Sequence, residues 1–129
     1  MIQRLYFLAH AQGEEPFDAD RLRRAIQSLN GLVNWREGAN WHERAGILFQ
    51  CELETGDPRN IRIPIRVMRD LRSASIGAFH DDGLRAALEI QRNYGAEIYA
   101  FSEEASPKVI ALSTIKSPEE LAAEHKIKG

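Results

Sequence analysis

The residues of this chain whose types could do chemistry are four histidines, one cysteine and a scatter of carboxylates. His10, His42, His80 and His125 show no i, i+4 pairing and no HExxH or HxH pattern, so no zinc-ligand spacing is present. The densest group is His80-Asp81-Asp82, three ligand-capable side chains in a row. It stands where a helix begins, and an aspartate there is the expected acceptor for the first free backbone N–H groups. Capping is therefore its expected role, and no metal is assigned to it. His10 closes the first predicted strand, a place where sheets often present functional groups. Together His10, His80 and Asp81 define an alternative reading, a small enzyme or ligand-binding protein, which requires them to converge in one pocket.

Cys51 falls in phase with Ile47, Phe49 and Leu53 on the inward face of a predicted strand. Apolar surroundings raise a thiol's pKa and leave it inert, so Cys51 reads as core and not as a nucleophile. The chain has no GxSxG, SxxK, P-loop or GxGxxG, and no cofactor or catalytic residue is assigned. The reading leans away from an enzyme.

Recognition chemistry is better represented. Trp35, Arg36, Trp41, His42 and Arg44 lie in one polar stretch that holds both tryptophans of the chain. Trp and Arg are the types enriched in binding hot spots. The competing role for the tryptophans is to fold back over the core. Downstream, Arg59, Arg62, Arg66, Arg69 and Arg72 make a basic stripe, with Glu52 and Glu54 expected to face it across a hairpin. No aromatic residue interleaves with these arginines in sequence, and the formal net charge is −2 with a pI near 6.1. Nucleic acid is accordingly disfavoured as a partner.

The elements that must position these residues follow from periodicity. Residues 2–9 are apolar on both sides, as in a central strand covered on both faces. Asp18 caps a helix whose stripe is Leu22, Ala25, Ile26 and Leu29, and Phe17 can staple onto Leu22. A short strand begins at Leu32. Residues 45–54 and 61–68 alternate as an antiparallel pair, and Pro64 predicts a sheet edge. Residues 69–74 read as a connection. A helix capped by Asp81 or Asp82 runs to Gly95, which suits the left-handed C′ position. Residues 96–101 form a strand that is again apolar on both faces, and residues 108–113 pair with it. Ser117-Pro118-Glu119-Glu120 is a capping box heading the last helix.

The expected order is β-α-β-β-β-α-β-β-α, an α+β fold with a mostly antiparallel sheet and helices packed on it. A ferredoxin-like core with an added strand and C-terminal helix is the simplest match. The 129 residues fit one domain, 1–129. A single thiol and an N-terminal run too short to span a bilayer make the cytoplasm the expected compartment. The expected function is a small non-enzymatic, protein-binding domain of bacterial immunity, inhibitor or adaptor type. Its partner would be a toxin or a regulated enzyme, met through Trp35, Arg36, Trp41, His42, Arg44, Arg62 and Arg66.

Overall fold

The computed structural model describes residues 5–11, 15–38, 46–102 and 108–125. Strand β1 (Leu5–Ala9) leads to helix α1 (Ala19–Gln27). Four strands follow: β2 (Leu32–Glu37), β3 (Ile47–Glu54), β4 (Arg62–Met68) and β5 (Ala74–Gly77). Helix α2 (Asp81–Tyr94) then precedes β6 (Tyr99–Ser102), β7 (Val109–Ala111), a 3-10 turn (Leu112–Thr114) and helix α3 (Pro118–His125). The fold is α+β, and the strands form one seven-stranded sheet in the order β2-β3-β4-β5-β1-β6-β7. Every neighbouring pair is antiparallel.

Two expectations about the strands change. Residues 69–73 are the expected connection, but Ala74-Ser75-Ile76-Gly77, expected as the end of that connection and the lead-in to the second helix, is a strand buried along its whole length between β4 and β1. Pro64 is not at a sheet edge, because β4 is an interior strand. The register shows how the proline is tolerated. Thr55 N–H donates to the Ile61 carbonyl, so by alternation Pro64 and Glu52 form a non-hydrogen-bonded pair, and the missing N–H faces β5. Pairing of β4 with β5 begins only at Ile65, opposite Ile76.

One face of the sheet is the core. Phe49, Val67, Ala74, Leu8, Ala100 and Ile110 stand opposite one another along a line from β3 to β7, and all are buried. Helices cover this face. Asp18 Oδ1 accepts from Arg21 N–H to start α1, and Phe17 and Leu22 are both buried beside it. Arg23 of α1 lies over the Phe49 ring, 5.2 Å from its centroid. Asn93 of α2 donates to the Ala25 carbonyl at 3.2 Å, which ties the two helices together. The Tyr6 hydroxyl donates to the Leu121 carbonyl at 3.2 Å, which seats α3 on the same side.

The start of α2 is pressed against the end of β5. A Cβ added to Gly83 would overlap the Gly77 carbonyl oxygen, so only glycine permits this approach. The cap differs from expectation: His80, not Asp81 or Asp82, is the N-cap, its Nδ1 accepting from Asp82 N–H at 3.1 Å. Gly95 ends the helix at φ 79°, the left-handed conformation. In α3, Ser117 Oγ accepts from Glu120 N–H, while the Glu120 carboxylate accepts from Lys116 N–H, one residue earlier than in a standard box.

Candidate functional site

Side chains alternate along a strand, so the residues between the core positions point to the opposite face. Their register defines one row crossing all seven strands. Arg36 of β2 stands opposite Gln50, Gln50 opposite Arg66, and Arg66 opposite Ser75. Ser75 stands opposite Phe7, Phe7 opposite Phe101, and Phe101 opposite Val109 of β7. No described helix packs over this row.

Its two halves differ in chemistry. On β1, β6 and β7, the Phe7 and Phe101 rings stack with centroids 5.5 Å apart and planes 20° from parallel. Val109 beside them is 47% exposed, the one large hydrophobic so exposed among the described residues. On β2, β3 and β4 the row is cationic. Arg36 and Arg66 are exposed, and neither makes a hydrogen bond or ion pair among the described residues. Between them the Gln50 Oε1 atom is buried without a hydrogen-bond partner.

Below this row the charges are paired. Arg62 reaches Glu54 at 3.3 Å and Glu52 at 4.0 Å, and Asn34 donates to Glu52 at 2.6 Å. The cross-hairpin pairing read from Glu52, Glu54 and the arginine stripe is therefore present for Arg62, whereas Arg66 is left over.

The expected Trp/Arg surface is divided by the sheet. Arg36 faces the bare side, but Trp35 points to the covered side and stacks on buried Phe49, centroids 4.9 Å apart. Its indole N–H donates to Glu37, which also holds Arg23 of α1 at 3.1 Å. Trp35 thus closes the open end of the core. Trp41, His42 and Arg44 lie outside the described residues.

His10 and His80 do not meet. The His10 ring packs on Phe17 and Tyr94, with centroids 6.0 and 5.5 Å away, at the C-terminal end of α2. His80 caps the other end of this 14-residue helix, about 20 Å away. At His80 the Nε2 atom lies 3.5 Å from Asp57 in the β3–β4 turn, and Nδ1 holds the helix cap. Both ring nitrogens are occupied structurally. Asp57 is in turn gripped by Arg59, whose Nε and Nη2 each lie 3.0 Å from a carboxylate oxygen. The side-chain and then the backbone hydrogen bonds of Arg59 hold the Asp57 carboxyl well below the usual carboxylate range. Asp81 is exposed in the first turn of α2.

Cys51 is buried at 2% exposure, and burial, helped by Glu52, pushes its thiol up to about 12. Such a thiol stays protonated near neutrality, and the thiolate is the nucleophilic form. Among the described residues no three His, Cys, Asp or Glu side chains gather to hold a metal ion, and no helix is long and apolar enough to cross a membrane. Two surface grooves of about 230 and 250 Å³ flank α2, below the roughly 300 Å³ at which small-molecule sites begin. Neither contains His10 or His80.

The aromatic half of the bare face was missed in sequence because Phe7 and Phe101 come together only through pairing of distant strands. The available signal was the doubly apolar character of both strands. No protein-family model, no curated protein and no solved structure matches this chain.

Proposed function

We propose that this chain is a small protein-binding domain, of immunity, inhibitor or adaptor type, that works through the bare face of its sheet. One observation carries the reading: β1 and β6 present aromatic side chains on the face opposite the core, and no described helix covers them. Apolar rings beside arginines that have no ion-pair partner among the described residues are the composition of a recognition surface. We read α1, α2 and the strands β4, β5, β1 and β6 as a ferredoxin-like core, widened by β2 and β3 on one side and β7 on the other. Arg36 and Arg66 contact the partner with Phe7 and Phe101, while Arg62 keeps the hairpin in register. A lone buried thiol fits a reducing, cytoplasmic setting.

The test is affinity capture with the whole chain as bait, comparing wild type, Phe7→Lys and Trp35→Ala, each checked for folding by circular dichroism. Phe7→Lys abolishes capture, and Trp35→Ala, on the covered side, leaves it. A folded Phe7→Lys chain that still captures the same protein sinks the reading.

A further inference from the structure

We infer that the occupant of the bare face is the same face of a second copy, the two sheets packing about a two-fold axis that runs along β5 over Ser75. The inference rests on the reading of this face as a protein-binding surface, and it takes the partner there to be a second copy in place of a different protein.

The argument is one of self-complementarity. In the row Val109–Phe101–Phe7–Ser75–Arg66–Gln50–Arg36, the central position is small and the two arms are chemically opposite. A two-fold axis parallel to the strands exchanges the arms. It lays Arg66 over the second copy's Phe7, Gln50 over the second copy's Phe101, and Arg36 over the second copy's Val109. Each contact is made twice, which is what a closed, isologous interface demands. The exchange gives an unpaired guanidinium a ring face and gives the exposed rings and Val109 a cover. Ser75, the small residue at the centre of the row, keeps the axis free of a bulky side chain.

Like charges stay apart in this arrangement. The two Arg66 groups sit about 10 Å apart sideways, on sheets about 10 Å apart face to face, so neither faces the other directly. Size is adequate too. Seven strands about 4.8 Å apart span about 29 Å, and strands of about five residues make a footprint on the order of 500 Å² per copy. That reaches the lower bound for a specific interface, about 500–600 Å² per partner. A phosphate backbone fits less well, since Glu52 and Glu54 share the face with Arg62 and the chain is net negative.

The test is the mass of the whole chain in solution by sedimentation and light scattering, from micromolar to hundred-micromolar concentrations. Wild type is a dimer. Arg66→Glu and Phe7→Lys each weaken dimerisation at least tenfold, with circular dichroism unchanged. Val109→Arg, an exposed position at the end of the row, weakens it without threatening the fold. Mixing Arg66→Glu with Phe7→Lys restores a dimer, because one pair of contacts becomes Glu–Lys and the other is native. A monomeric wild type at every concentration overturns the inference, as does a dimer indifferent to all three substitutions or a mixture that stays monomeric. A monomer that loses capture of a different protein on Phe7→Lys overturns self-association while leaving the binding face in place. A monomer that binds oligouridine with steep salt dependence overturns both.

Discussion

The two faces of this sheet use apolar side chains differently. On the covered face the line from Phe49 to Ile110 is unbroken and buried, and polar groups enter only at its margin, where Arg23 lies over Phe49. On the bare face the apolar character stops midway, at Ser75, and gives way to arginines. A core needs continuity, because any interruption leaves a void or an unsatisfied polar group. A recognition surface needs contrast, because specificity comes from opposed chemistries placed at fixed spacing. The sheet supplies continuity on one side and, on the reading proposed above, contrast on the other, with the same strands.

The comparison breaks most visibly at two phenylalanines. Phe49→Ala, in the covered line, costs about 3–5 kcal/mol of unfolding free energy in urea titrations. Phe101→Ala, half-buried on the bare face, costs about 1 kcal/mol when measured dilute enough to be monomeric. Equal losses would mean that both faces are core. Gly83→Ala follows, at about 1–3 kcal/mol, because the new methyl meets a backbone carbonyl that cannot turn away without lifting α2 from β5. An unchanged midpoint would show that the helix start is not seated on the strand.

Cys51 reports the dryness of the covered face. Its folded pKa is raised from 9.0 to about 12, so the thiol's contribution is complete below pH 9 and declines as pH rises toward 12. Relative to Cys51→Ala, wild type loses about 1.4 kcal/mol per pH unit across that window. A flat difference would place water beside the sulfur. His80→Ala costs about 1 kcal/mol by removing the α2 cap, and His80→Asn, which also caps, recovers most of it. Failure of asparagine to recover stability would mean that the contact to Asp57, not the cap, is what His80 supplies.

What was legible in the sequence was local. Asp18, Ser117 and Gly95 announce helix ends because a cap is a bond within a few residues. The β3–β4 hairpin was legible because Ile47 to Leu53 and Ile63 to Val67 alternate without interruption. Strand β5 was not, because four residues following a turn carry too little periodicity. Pro64 misled because its tolerance depends on where β5 stops pairing, which is a tertiary fact. His80 was passed over as a cap because imidazole is an uncommon acceptor beside two aspartates. The site was least legible of all: Arg66 and Phe7 are far apart in the chain, and only Ser75, on the strand that was missed, sets them on one row.

The smallest expected effect separates the two kinds of arginine on the bare face. Arg62 is already paired with Glu54 at 3.3 Å, with both side chains well exposed, 39% and 48%. An ion pair in that setting contributes about 0.2–1 kcal/mol, since water screens it and two long side chains lose freedom. A double-mutant cycle with Arg62→Ala and Glu54→Ala therefore gives a coupling in that range, and it shrinks as salt is added. Arg66→Ala, with no such partner, leaves unfolding free energy of the monomer unchanged within about 0.5 kcal/mol. Its effect is confined to association. If Arg66 proves to stabilise the monomer as much as Arg62 does, then it too is engaged within the hairpin, and the contrast between a paired, quiet register charge and an unpaired, recognising one disappears.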